Sequence, residues 1–272
     1  MSETQVDPQT GLTQRQRNLL FAIVKEYCDM GDGVGSKELK EKYGFDYSPA
    51  TIRAELVRLR KLGYLDQPFT NSSSHPTEQA FKLFINQLVI GLQVTSRQQQ
   101  ELKQKIFELE DKQMNMSKEI TRLLASQSGG VGFMLNQSSE NVTGIKNLLT
   151  APGEGKVSQI LDFLDNLDQY KDYFLEHPKD QKLLVNNQLK LGSSSFGKKS
   201  KKGEQKISTV IGSENPILPL GKGYGMVSTK IYIDGVESVI GVITPIHLLA
   251  KRKNLELVEG LGKLLAENGE EK

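Results

Sequence analysis

An α+β fold is what this 272-residue sequence predicts, and three observations predict it. Residues 12 to about 80 are dense in short, well-punctuated helix signals that end in a brief strand. Residues 82 to 127 carry one continuous helical periodicity. Residues 206 to 268 alternate as strands do around an Asp-Gly turn, then finish on an amphipathic helix. These shifts divide the chain at 1–80, 81–127, 128–205 and 206–272. The third region is a mixed helical one, broken by Gly-, Ser- and Lys-rich stretches that include a flexible basic loop.

The first region reads element by element. Thr13 and Gln16 form a Thr-x-x-Gln capping box that starts a helix. Leu19, Leu20, Ile23, Val24 and Tyr27 make its apolar stripe, and Gly31 stops it. Ser36 caps a second short helix with Leu39 inward, ending at Gly44. Ser48 and Pro49 have the residue types of N-cap and first helical position for a third helix. Its inward positions are Ile52, Leu56 and Leu59, and Gly63 ends it. Tyr64–Gln67 reads as a strand, Thr70–Ser74 as a polar tip, and Pro76-Thr77 as the opening of the next helix. Helix, short helix, turn, helix, strand and polar loop, in that order, describe a winged helix-turn-helix.

In that motif the third helix enters the major groove and its N-terminal side chains meet base edges. The segment here is Ser48-Pro49-Ala50-Thr51-Ile52-Arg53-Ala54-Glu55. Ala50 and Ala54 allow close approach, Thr51 suits a thymine methyl or a phosphate, and Arg53 suits a bidentate contact to guanine. Glu55 suits either a cytosine amine or a surface salt bridge. From Pro49 to Leu62, Arg53, Arg58, Arg60 and Lys61 stand against Glu55 alone, a local +3 inside a chain whose net charge is only +2, with Arg58 a candidate DNA contact through a phosphate and a solvated helix face the alternative. Ser36 and Lys37 are placed to hold a phosphate at a helix N-terminus. Ser72, Ser73, Ser74, His75 and Thr77 are the candidate contacts from the polar tip and the residues just after it. Double-stranded DNA is therefore the expected partner.

Leu88, Leu92, Thr95, Gln99, Leu102, Ile106, Leu109, Gln113, Met116, Ile120, Leu123 and Gln127 alternate at spacings of four and three, and eight of these twelve positions are apolar. This heptad seam predicts either a dimerising coiled coil, with Leu102, Ile106, Leu109, Met116, Ile120 and Leu123 at a homodimer contact, or an amphipathic helix packed on its own domain. In the last region Ile207–Ile211, Met226–Ile233 and Ser238–Thr244 read as strands, the latter two joined by Asp234-Gly235, and Leu248–Glu267 as a helix. Gly212-Ser213-Glu214-Asn215-Pro216 is a turn. Lys198-Lys199-Ser200-Lys201-Lys202 is the basic loop.

Composition narrows the function classes. With 37% apolar and 25% charged residues the chain has the balance of a soluble globular protein. It has no apolar run approaching the roughly eighteen residues of a membrane span, and Met1–Leu12 lacks a secretory apolar stretch. One cysteine, Cys28, makes no internal disulfide and suits a reducing cytoplasm. His75, His177 and His247 are far apart in sequence, and there is no metal-ligand spacing, phosphate loop or nucleophile elbow. No enzyme activity and no cofactor are expected.

Several of these segments together resemble a known family. Leu12-Thr13 with Gln16, Ile23-Val24, Tyr27, Gly31 and Val34-Gly35-Ser36-Lys37-Glu38-Leu39 are similar to the heat-inducible transcription repressor HrcA family. So are Ser48–Arg53, Leu62-Gly63-Tyr64-Leu65, Gln67-Pro68 and Pro76-Thr77, and at the other end Ile211–Pro216 and Gly241-Val242-Ile243-Thr244-Pro245. The resemblance covers about residues 12–90 and 207–265 and is weak between. It implies a cytoplasmic, nucleoid-associated bacterial repressor of heat-shock chaperone operons. Such a protein binds as a dimer to the CIRCE inverted repeat, and a GroEL-type chaperonin is the implied partner. The implied fold is a winged helix, a GAF-like domain and an inserted dimerising segment. This chain departs from the pattern at the wing, where Asn71-Ser72-Ser73-Ser74 replaces Ser-Ala-Gly-Arg. It is also shorter than typical members. Two other readings stay open at this level: a winged-helix regulator that senses a small ligand, and a protein–protein module without DNA binding.

Overall fold

The computed structural model describes residues 6–8, 10–67, 73–111, 116–150, 157–175, 207–212, 218–233 and 235–267. These fall into two compact units that divide between Ile90 and Gly91.

The N-terminal unit holds α1 (Gln14–Met30), α2 (Ser36–Tyr43), α3 (Pro49–Lys61), β1 (Leu65–Asp66), β2 (His75–Pro76) and α4 (Glu78–Ile90). The capping box at Thr13 and Gln16 is complete in both directions. Gly31 and Gly44 close α1 and α2 in the left-handed conformation, as expected of glycine past a helix end. Ser36 is not a cap: Gly35 occupies that position and makes no side-chain cap bond, so Ser36 is the first helical residue. At α3 the N-cap is Ser48, with Pro49 in the first turn. Its end at Leu62 is followed by Gly63 at φ 80°, and the amide of Tyr64 returns to the carbonyl of Leu59. Leu19, Leu20, Ile23, Leu39, Ile52, Leu59 and Ile85 are fully buried and form the core. Phe21 and Phe84 meet edge to face at 5.3 Å, tying α4 to α1.

The two strands pair antiparallel, Leu65 with Pro76 and Asp66 with His75, and Val34 bridges Ser74 beside them. Gly33 is required at that junction. A Cβ there would stand 2.6 Å from Cβ of Ser73 and 2.7 Å from the His75 ring.

The C-terminal unit starts differently from the expected single long helix. Helix α4 ends at Ile90, and α5 (Ser96–Asp111) and α6 (Met116–Ser128) are separate elements. The cause at the first break is local. Thr95 and Gln98 form a second Thr-x-x-Gln box, the Thr95 amide donating to Gln98 Oε1 and the Gln98 amide to Thr95 Oγ1. Gly91 precedes it and has little reason to continue a helix.

After α6 come β3 (Val131–Asn136), β4 (Glu140–Thr143), α7 (Ile145–Thr150), α8 (Val157–Asp165), a 3-10 turn (Leu167–Tyr170) and α9 (Lys171–Leu175). Then β5 (Ile207–Ile211), β6 (Tyr224–Ile233), β7 (Val236–Pro245), α10 (Ile246–Leu249) and α11 (Arg252–Glu267) complete the unit. The strands form one antiparallel sheet in the order β4-β3-β7-β6-β5. Two of its strands thus come from the region expected to be mixed helical, so the sheet domain does not begin near residue 206. The expected C-terminal helix is also split. Asn254 Nδ2 donates to the carbonyl of Leu248 at 2.8 Å across the corner between α10 and α11. Lys198–Lys202 and Ser213–Pro216 lie outside the described residues.

Both faces of the sheet are covered. Alternate residues on one face, Val131, Phe133, Leu135, Met226, Val239 and Ile243, are buried with Ile160, Phe163, Leu167 and Phe174 of α8, the 3-10 turn and α9. On the other face α6 lies on β3, and α11 on β6. Gly132 allows the first of these contacts: a Cβ would stand 2.3 Å from the carbonyl oxygen of Thr121. Outside α11 lies α5, whose Leu102 and Ile106 are buried. Among the described residues no helix is long and apolar enough to cross a membrane.

Candidate nucleic-acid interface

The outward face of α3 follows from what its inward face must bury. Ile52, Leu56 and Leu59 point into the core, which leaves Ala50, Arg53, Ala54, Val57, Arg58 and Lys61 exposed on one strip. At its start the Ser48 hydroxyl accepts from the Thr51 amide at 3.1 Å, and Ser48 and Thr51 share a hydroxyl hydrogen bond of 2.9 Å. Thr51 therefore presents its methyl more freely than its hydroxyl. Pro49 carries no amide proton and suits the first turn. Arg53 Nε reaches Ser36 Oγ at 3.4 Å, which brings the start of α2 beside the middle of α3. Lys37 next to it is exposed, with Glu41 at 3.9 Å. Ser36, Lys37, Ala50 and Arg53 thus share one surface.

Glu55 is not on that surface. Its side chain is 3% exposed, its Oε2 accepts from Gln16 Nε2 at 2.9 Å, and its Oε1 lies 3.0 Å from Arg58 and 3.3 Å from Arg15. The choice left open by the sequence resolves to a buried ion pair, and a cytosine contact is excluded by burial. The signal was present. Position 55 is three past Ile52 and four before Leu59, inside the inward stripe. Gln16, Arg15 and this role of Glu55 were not anticipated from sequence.

The residues after α3 divide in the same way. Ser74 is 3% exposed, and its hydroxyl accepts from Arg60 Nη1 at 3.3 Å. Thr77 spends its hydroxyl on the carbonyls of Gly63 at 2.7 Å and Tyr64 at 3.2 Å. Both hold the two-stranded ribbon to α3 and the turn after it; burial removes Ser74 from the outer surface, and Thr77 turns its hydroxyl proton to the backbone. Ser73 and His75 are half-buried. His75 Nε2 lies 3.8 Å from Asp32, and its ring meets Tyr27 edge to face. Ser72 lies outside the described residues.

The heptad seam starts at Leu88 in α4, and its remaining positions are distributed over the C-terminal unit. Leu102 and Ile106 face α11 of their own chain: a Cβ on Gly260 would stand 2.6 Å from Leu102 Cδ1. Ile120 is fully buried in α6, and Met116 and Leu123 are half-buried. The side chain of Leu109 lies outside the described set. The break at Thr95 prevents these positions from forming one continuous seam. No group of three or more His, Cys, Asp or Glu able to hold a metal occurs among the described residues.

Comparison with known proteins identifies the family. The family described as HrcA protein C terminal domain matches residues 66–249, more than half of the chain and including the middle region where the sequence resemblance is weak. A heat-inducible transcription repressor HrcA from Sorangium cellulosum is 36% identical over 145 residues, which span 53% of this chain and 42% of that protein. One from Staphylococcus haemolyticus is 41% identical over 98 residues, 36% of this chain and 29% of that protein. The chain thus spans less than half the length of these curated relatives. A crystal structure of a hypothetical protein at 2.2 Å resolution shares the fold, with a TM-score of 0.62 at 17% identity, covering 95% of this chain and 98% of that one. The family match, which runs from Asp66 in the first strand of the ribbon to Leu249 at the end of α10, shows that this chain belongs to the HrcA family.

Proposed function

We propose that this chain is a sequence-specific DNA-binding transcriptional repressor of heat-shock chaperone genes. Its N-terminal unit acts as a winged helix-turn-helix, and α3 reads the major groove. The C-terminal unit serves as a GAF-like domain. The observation that carries the reading is the outward strip of α3. It has small Ala50 and Ala54 flanking Arg53, with Ser36 and Lys37 alongside to take backbone phosphates. The name of the curated relatives, heat-inducible transcription repressor, supports a role in the heat response. The expected operator is a CIRCE-like inverted repeat bound by a homodimer, with a GroEL-type chaperonin as a further partner. The protein would work at the nucleoid in the bacterial cytoplasm.

A fluorescence titration against a CIRCE-like repeat and against random duplex, at two salt concentrations, tests this. Preference for the repeat by about a thousandfold or more is expected, with affinity falling as salt rises. Equal affinity for the two duplexes would sink the reading. A ligand-sensing role finds less support, because the space between the sheet and α8 and α9 is filled by Phe133, Tyr224 and Met226 of the strands and Phe163 of α8.

A further inference from the structure

The negative charge of Glu55 sits directly behind the strip that faces DNA, where a carboxylate works against phosphate binding. It is held by three partners from two elements. Gln16 and Arg15 come from the first turn of α1, and Arg58 lies one turn on in α3. Gln16 is itself fixed by its capping bond to the Thr13 amide at 2.9 Å. Arg15 also lies over the ring of Tyr47, 5.3 Å from its centroid, and Tyr47 immediately precedes the N-cap of α3. One buried carboxylate therefore ties the start of α1 to both the middle and the beginning of α3. Such an arrangement fixes how α3 is rotated about its axis. Apolar packing alone fixes this less sharply, because leucine and isoleucine contacts tolerate small rotations.

Arg58 adds a second consequence. Its side chain is 62% exposed, yet its guanidinium is turned back 3.0 Å onto Glu55. Opposed by that bond, it is a poor phosphate ligand.

We propose that Glu55 is a positioning residue for DNA reading: it sets the rotation of α3 that presents Arg53, and it holds Arg58 away from the phosphates. Discrimination between sequences gains by this, and affinity for any sequence is lowered. The inference rests on the repressor reading above.

The test is the full chain carrying Glu55→Gln, which keeps side-chain size and an acceptor but removes the charge. Operator-over-random discrimination should fall by roughly tenfold. Affinity for random duplex should rise, and the slope of log K against log salt should steepen by about 1 as Arg58 gains a phosphate. The double variant E55Q/R58A should return the slope to the wild-type value. A purely structural role would instead lower both affinities together and leave the slope unchanged. Wild-type discrimination and slope in E55Q overturn the proposal, as does a steepened slope that persists in E55Q/R58A. If E55Q does not fold, Arg58→Ala alone decides: an unchanged slope supports the proposal, and a slope shallower by about 1 overturns it. Should the wild-type chain itself fail to discriminate, the repressor reading falls and this inference with it. Wild-type discrimination retained in full by E55Q removes this inference alone.

Discussion

At the residue scale, Arg53 and Glu26 show two different uses of charge. Arg53 stands outward between two alanines, where its guanidinium has, among the described residues, a long bond of 3.4 Å to Ser36. That bond is weak enough to be exchanged for a base edge. Arg53→Ala is expected to cost about 1–3 kcal/mol of operator binding, with random-duplex affinity changed much less. Parallel titrations on the two duplexes check this, and equal losses on both would reassign Arg53 to the phosphates. Glu26 is the opposite case. It is buried in α1, Lys42 Nζ lies 2.5 Å from one oxygen, and the Tyr43 hydroxyl donates to the other at 2.7 Å. Burial opposes its charge, but the hydrogen bonds from Lys42 and Tyr43 and the Lys42 charge outweigh that, and the carboxyl titrates below the ordinary carboxylate range. Its folded value is thus depressed relative to the unfolded chain. The stability it contributes is complete above the unfolded carboxylate value and is lost as pH falls through the folded one. Glu26→Ala is expected to destabilise by about 1–3 kcal/mol at neutral pH, and the gap from wild type should close on acidification. Urea titrations at pH 7 and pH 3 read both quantities.

At the element scale, the helices of the N-terminal unit were legible because their ends are chemically marked. Thr13 with Gln16, Ser48 with Pro49, and the glycines 31, 44 and 63 each impose a local geometry that needs no distant partner. The same logic explains the main error. Thr95 and Gln98 carry the mark that Thr13 and Gln16 carry, but both fall within an apolar repeat at heptad spacing. The repeat suggested continuity where the cap imposes a stop. Strands β3 and β4 were missed for a different reason. Val131–Asn136 is buried at five of its six positions, so it shows no alternation, and beyond the short β4 its sheet partner β7 lies about a hundred residues away. Its glycine is informative once the sheet is known. Gly132→Ala places a methyl against the Thr121 backbone carbonyl, which no rotamer change relieves. An overpacking cost of about 1–3 kcal/mol is expected, read as a lower urea midpoint for the C-terminal unit. Wild-type stability in this variant would mean that α6 can move off the sheet.

At the scale of the whole molecule, the candidate site was readable only where function and local structure use the same residues. Arg53 and Ala50 could be placed on the outward face because a helix start fixes which residues face outward. Glu55, Ser74 and Thr77 could not, since their roles depend on residues far along the chain. The seam carries the same ambiguity into the question of assembly. Leu102 satisfies a heptad and also packs against Gly260 of its own chain, and these two uses have different thermodynamics. A side chain buried within one chain contributes to stability independently of protein concentration. One buried between two chains makes the melting temperature rise with concentration. Leu102→Ala should therefore lower stability by about 2–5 kcal/mol, by the same amount in melts taken at low and at hundredfold higher concentration. If the proposed dimer forms elsewhere on the molecule, the variant should still sediment as the wild type does and still bind both halves of an inverted repeat. A loss that shrinks as concentration rises, together with a shift toward monomer in sedimentation velocity, would instead put Leu102 at the contact between two copies.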